Sequence, residues 1–241
     1  MNQPLFSLRH INKAYRRGDE VVSIFDRMDM DVHAGDFLAV MGPSGSGKTT
    51  LLNLLGAIDR PDAGDIQFRG QSIAQLSAEQ QTAWRASHVA FVFQSFNLLP
   101  MLSGFRNVEL PLMLTGMSAD ERRARVTTAL ELVGLSQHAA RMPAQLSGGQ
   151  QQRIAIARAL VADAAVMLCD EPTGNLDRRT SGEIMETLSL LNQEFGKTIV
   201  LVTHDREAAR YAKRICHLDK GRFDFDAAAI APAQPPEPCA A

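Results

Sequence analysis

Three short stretches of this sequence hold residues whose types and spacing can do chemistry. The first is Gly42-Pro43-Ser44-Gly45-Ser46-Gly47-Lys48-Thr49, which fits the pattern G-x-x-x-x-G-K-[ST]. Glycines there let backbone N–H groups close around phosphate oxygens, and the start of a following helix adds the positive end of its dipole. Lys48, expected on an exposed loop, can reach β- and γ-phosphates, and the Thr49 hydroxyl can ligate Mg²⁺. The second stretch is an apolar run, Val166-Met-Leu-Cys, that ends in Asp170 and Glu171. Asp170 brings a carboxylate to the Mg²⁺ region. Glu171 is placed to act as general base for an attacking water. An Asp-Glu-Pro turn after a buried strand would look the same, and it is the pairing with the phosphate loop that favours the catalytic reading.

The third stretch is Leu146-Ser147-Gly148-Gly149-Gln150. Ser147 and Gln150 have the spacing of a capping box, which would open a helix over Gln151–Leu160. A helix start with two glycines and a free hydroxyl is also an anion site. One chain thus carries two phosphate-binding helix starts, far apart in sequence. A small-molecule kinase built on the same phosphate loop would not need the second one, nor a Glu directly after the strand Asp.

These groups need a scaffold. Four apolar runs, Phe37–Met41, Val89–Phe93, Ala164–Cys169 and Thr198–Val202, read as buried strands of a parallel sheet covered on both faces. A helix is expected from the phosphate loop through Thr49-Thr-Leu-Leu-Asn-Leu-Leu-Gly-Ala-Ile58. Leu5–Tyr15 and Val21–Val32 alternate polar and apolar residues and read as antiparallel strands added at one side. Ser118 and Glu121 form a capping box for a helix running to about Val133, with Gly134 as its stop. The stretch from about 95 to 146, extending with the next helix to about 160, reads as a helical lobe inserted in the α/β core of a domain over 1–226. From Ala227 the tail is mostly Ala and Pro, a composition that cannot bury a core and reads as disordered.

Composition bounds the partners. With 241 residues the chain holds one large α/β domain. Its 25 Lys and Arg against 27 Asp and Glu give a net charge of −2, which offers no electrostatic argument for nucleic acid. Cys169, Cys216 and Cys239 are dispersed, so neither a disulfide framework nor a zinc site is expected, and a reducing compartment fits. No apolar run approaches the roughly 20 residues of a membrane-spanning helix, and Met1–His10 lacks the apolar centre of a signal peptide.

The motif Leu146–Gln150, with the phosphate loop and the Asp170-Glu171 strand end, resembles the signature of the ATP-binding cassette (ABC) ATPases. The resemblance covers residues 5 to about 225. It implies a P-loop NTPase fold with a RecA-like parallel core, antiparallel β-strands and an inserted helical subdomain. It implies ATP and Mg²⁺ as cofactors and ATP hydrolysis as the activity. Two cassettes of a homodimer would face head to tail, each ATP lying between one phosphate loop and the other chain's Ser147–Gln150. Tyr15 is similar to the aromatic that stacks on adenine. Thr50 joins the phosphate loop, Gln94 resembles the loop glutamine that contacts Mg²⁺ and water, and Asp177 in Gly174-Asn-Leu-Asp resembles the D-loop. His204 resembles the switch histidine of the γ-phosphate. The resemblance thus implies Thr49, Gln94 and Asp170 around the metal and Lys48, Gln94, Glu171 and His204 in catalysis.

The stretch Phe96–Leu112 and the Pro-Thr-Gly-Asn-Leu-Asp segment look like the lipoprotein-releasing (LolD-type), macrolide-exporter (MacB-type) and cell-division (FtsE-type) ATPases. Amino-acid-importer ATPases share most of these motifs. The partner implied is a separately encoded FtsX-like permease, with this chain peripheral at the cytoplasmic face of the inner membrane. Leu98 and Leu102 are expected in an apolar groove that takes a permease helix. Soluble ABC machines of repair or translation carry coiled-coil arms, zinc insertions or two cassettes in one chain, and this sequence has no such feature.

Overall fold

The computed structural model describes residues 3–18, 20–219 and 221–225. The elements in chain order are β1 (Phe6–Arg17), β2 (Glu20–Val32), β3 (Phe37–Met41), α1 (Lys48–Leu55), β4 (Ala63–Phe68), β5 (Gln71–Ser72), α2 (Ala78–His88) and β6 (Val89–Phe93). Then come α3 (Gly104–Glu109), α4 (Ala119–Leu132), α5 (Gly148–Val161), β7 (Val166–Asp170), α6 (Arg178–Phe195), β8 (Thr198–Thr203), α7 (Arg206–Ala209), β9 (Arg214–Asp219) and β10 (Arg222–Phe225). The Ala/Pro tail from Ala227 and Cys239 lie outside the described residues.

Two sheets form the frame. One is antiparallel, in the order β2-β1-β4-β5; the other runs β10-β9-β3-β8-β7-β6. In the second, β3, β6, β7, β8 and β9 are parallel and β10 is antiparallel to β9. All four apolar runs are strands of this sheet. Every residue of β3 and β8 is buried, which is why they read as continuous apolar runs rather than alternating ones. Successive residues serve opposite faces. Leu38, Val40, Val200 and Val202 pack with α1 and the antiparallel sheet. Ala39, Met41, Ile199 and Leu201 pack with α5 and α6.

The helices obey the caps in the sequence. Ser118 caps α4 with a full capping box to Glu121, and Gly134 follows at φ +70°. α1 is shorter than expected: it ends at Leu55, where the Gly56 N–H closes onto Leu52 and Ala57 turns to φ +50°. The strand expected over Ala164–Cys169 is shifted to Val166–Asp170, so Asp170 remains in register with Phe93 and Val202. Buried Glu109 at the end of α3 accepts from both Arg106 and Arg122, tying α3 to α4. Among the described residues no helix is long and apolar enough to cross a membrane.

Candidate functional site

The site forms where β3, β7 and β8 end. β3 stops at Met41 and the chain turns through residues 42–47 into α1. Gly47 is the N-cap of α1 at φ +104°, a left-handed conformation that favours glycine. An added Cβ there would lie 2.7 Å from the Ile24 side chain. Lys48 is not on an exposed loop: it opens the helix with only 9% of its surface open. Its Nζ donates to the carbonyls of Gly42 at 2.8 Å and Pro43 at 2.9 Å. The ammonium is thus stored inside the loop, held by two acceptors that can be exchanged for phosphate oxygens. Ser46 Oγ is buried in the same loop without a hydrogen-bond partner.

The carboxylates arrive from β7. Thr49 Oγ1 donates to Asp170 Oδ2 at 3.4 Å. Burial lifts the Asp170 carboxyl above its usual range, the Glu171 charge adds to this, and Thr49 and Lys48 pull it back. A desolvated carboxylate beside a hydroxyl is a fitting pair of hard oxygen donors for Mg²⁺. Among the described residues no group of three or more His, Cys, Asp or Glu side chains is arranged to hold a metal ion by itself. Glu171 sits at φ +48°, its N–H fixed to Val202 O at 3.0 Å. This unusual backbone turns its side chain to His204, whose Nδ1 lies 2.8 Å from Glu171 Oε1. The His204 side chain is 71% exposed.

The structure therefore brings together Lys48, Thr49, Asp170, Glu171 and His204. Gln94, just past β6, points elsewhere: its Nε2 donates to Asn175 Oδ1 and its carbonyl accepts from Asn175 Nδ2, both at 3.1 Å. It makes no hydrogen bond to Thr49 or Asp170. Tyr15 lies on β1 beside Thr50, whose hydroxyl bears on its phenol. Ser147 is the N-cap of α5 in a full capping box with Gln150, and Gly148 and Gly149 are its first helical residues. Asp177 caps α6 through Thr180. These cap bonds are all made, and no hydrogen bond joins the 146–150 helix start to the 42–49 loop among the described residues.

Over residues 25–174 the sequence matches the family described as ABC transporter. The chain belongs to the ABC transporter family. It is 45% identical over 98% of its length to the macrolide export ATP-binding/permease protein MacB 1/2 of Paracoccus denitrificans. It spans 35% of that protein's length. It is 42% identical over 94% of its length to the lipoprotein-releasing system ATP-binding protein LolD of Chromohalobacter salexigens, covering 95% of that chain. Its fold is that of a solved ABC cassette. The dimeric post-hydrolysis state of the ATP-binding cassette MJ0796, bound to ADP and Pi, superposes with a TM-score of 0.84 at 40% identity, covering 91% of this chain and 98% of that one.

Within this ABC chain, several side chains that bond to the motif residues and their neighbours were not evident from spacing. Asp59 accepts the Tyr15 hydroxyl at 2.6 Å from 44 residues away. Arg158 of α5 donates to the carbonyls of Phe96 and Asn97, two residues forced to φ +59° and +47° just after Gln94. His138 Nε2 lies 3.2 Å from the Gln150 amide nitrogen. Asn175 alone was inside a recognised motif, as the third residue of Thr173-Gly-Asn-Leu-Asp.

Proposed function

We propose that this chain binds ATP with Mg²⁺, hydrolyses it to ADP and phosphate, and thereby energises an FtsX-like permease at the cytoplasmic face of the inner membrane. The observation that carries the reading is the convergence of Lys48, Thr49, Asp170, Glu171 and His204 at one end of the parallel sheet. Lys48 leaves its two carbonyls and neutralises the β- and γ-phosphates. Thr49 and Asp170 would hold Mg²⁺, which would supply charge neutralisation on the phosphates. Glu171 accepts the proton of the attacking water. His204, already bonded to Glu171, orients that carboxylate and reaches the γ-phosphate. Tyr15 stacks on the adenine, and Thr50 lies between ring and phosphate loop. Gln94, released from Asn175, would be free to contact the metal and the attacking water.

Ser147, Gly148, Gly149, Gln150 and Asp177 act in trans. The likeness to a dimeric cassette structure supports a homodimer in which the α5 start closes the partner's nucleotide. Residues 95–160 serve as the helical lobe that meets the permease. The likeness to LolD over nearly its whole length, and to the ATP-binding part of MacB, supports this transport group over importer-type ATPases.

The test is Glu171→Gln. Gln keeps the shape but cannot take the proton, so hydrolysis should fall about 10²–10⁴-fold while ATP binding persists. The unhydrolysed nucleotide should then hold two chains together. A Glu171→Gln protein that stays monomeric by light scattering with saturating MgATP contradicts the sandwich.

A further inference from the structure

Tyr15 is held by a clamp that no motif predicts. Its hydroxyl donates to Asp59 Oδ2 at 2.6 Å. The other oxygen of the same carboxylate, Oδ1, accepts from Lys13 Nζ at 2.8 Å. Lys13 also donates to the Arg60 carbonyl at 2.8 Å, and its ammonium lies 5.0 Å from the centre of the Tyr15 ring, within cation–π range. The Lys13 side chain is 8% exposed, an unusual burial for lysine that needs a partner. Asp59 provides it and is itself tied to α1, its N–H reaching Asn53 O. A second carboxylate, Asp62, accepts the backbone N–H of Ala14 at 2.7 Å. The segment that leaves α1 thus grips β1 at Lys13, Ala14 and Tyr15 together.

This is more ordering than a surface tyrosine needs. Tyr15 keeps 40% of its surface open, while its hydroxyl is fixed and an ammonium is held over the ring. The Asp59 carboxyl is subject to burial, which pushes it up, but Lys13 and Tyr15 outweigh this and hold it below the usual range. It stays ionised, able to hold both donors at once.

We propose that Asp59 and Lys13 are positioning residues for the base of a nucleoside triphosphate. They act through Tyr15, fixing the angle and height of its ring relative to the phosphate loop at the other end of α1. The inference rests on the reading that Tyr15 stacks on the base. The ring is presented already ordered, so the base does not have to immobilise it on binding.

Binding to the isolated full chain tests this, with two probes: MgATP, and magnesium tripolyphosphate, which has phosphates but no base. Tyr15→Ala should weaken MgATP about tenfold or more, the scale of one lost stacking contact, and leave tripolyphosphate unchanged. Tyr15→Phe keeps the ring and loses the hydroxyl's contacts with Asp59 and Thr50. Asp59→Ala removes the clamp, and Asp59→Asn restores an acceptor. Tyr15→Phe and Asp59→Ala should each weaken MgATP about threefold to tenfold, with tripolyphosphate unmoved and Asp59→Asn recovering part of the loss. If Asp59→Ala fails to fold, Tyr15→Phe decides alone. Should Tyr15→Ala weaken MgATP selectively while Tyr15→Phe and Asp59→Ala bind like the parent, the clamp has no positioning role. Equal weakening of both probes makes the clamp merely structural and also overturns the proposal. If Tyr15→Ala leaves both probes unchanged, it is the stacking reading itself that fails.

Discussion

Lys48 is buried in the loop that it completes, with the carbonyls of Gly42 and Pro43 as its partners. Its removal therefore has two effects. Lys48→Ala takes away the cation proposed to neutralise the phosphates, and turnover should fall close to zero. It also strips two carbonyls of a donor, so a drop of a few degrees in melting temperature should accompany the loss; turnover like that of the parent would remove Lys48 from the site. Asp170 gives a prediction of opposite sign. Burial raises its carboxyl above the ordinary range, so the folded chain holds that proton more tightly than the unfolded chain. Stability contributed by the protonated group is present below the ordinary carboxylate value and is lost as pH rises through the raised one. At neutral pH the ionised carboxylate is a cost, which a bound cation would offset. Asp170→Asn should therefore melt higher than the parent at pH 7.5 without nucleotide, with the gap closing in acid. It should lose Mg²⁺-dependent hydrolysis. A variant that melts lower at pH 7.5 would contradict this account.

The start of α5 has two duties, and one substitution separates them. Ser147 caps the helix within its own chain and is proposed to face the partner's nucleotide. Ser147→Arg should cost about 1 kcal/mol as a lost cap, a fall of about 2–4 °C in melting temperature for a chain of this size. It should also abolish turnover while the single chain still binds ATP. Normal turnover per folded molecule would reduce Ser147 to a cap. Caps of this kind were legible in the sequence because they are local: Ser118, Ser147 and Glu121 announce themselves by spacing. Strands buried on both faces were legible too, as apolar runs. β9 was not, because at the flank of the sheet only Cys216 and Leu218 are buried while His217 faces out. The short β4 buries only Ile66 and Phe68. The site's supports were hidden for another reason. Asp59 and Tyr15, or Arg158 and the Phe96 carbonyl, meet only after the chain has folded, and no periodicity records such a meeting.

For the whole molecule the question is where motion enters and leaves. Leu98, expected in an apolar groove for a permease helix, is half-buried and packs against the core, and Leu102 is half-buried. The open apolar side chains nearby are Leu99, Met101, Met113 and Leu114, the last 90% exposed. Met101→Asp with Leu114→Asp should therefore leave fold and ATP binding intact and abolish stimulation of hydrolysis by the permease. Leu98→Asp should destabilise the chain. If the double variant is stimulated normally, docking lies elsewhere. Between this surface and the proposed dimer face stands the reciprocal amide pair of Gln94 and Asn175. It ties the loop after β6, next to the proposed permease surface, to the loop before α6, next to the proposed partner cassette, without passing through nucleotide. Both bonds are exposed, so each contributes near the lower limit of about 0.5 kcal/mol, and the pair can transmit about 1 kcal/mol, roughly a fivefold effect. Thermodynamic linkage then imposes a reciprocity. Whatever factor a docked permease segment adds to the affinity of one cassette for the other through this pair, dimerisation must return to the affinity for that segment. A gain of that size in each direction biases docking and dimerisation toward one another without making either a condition of the other.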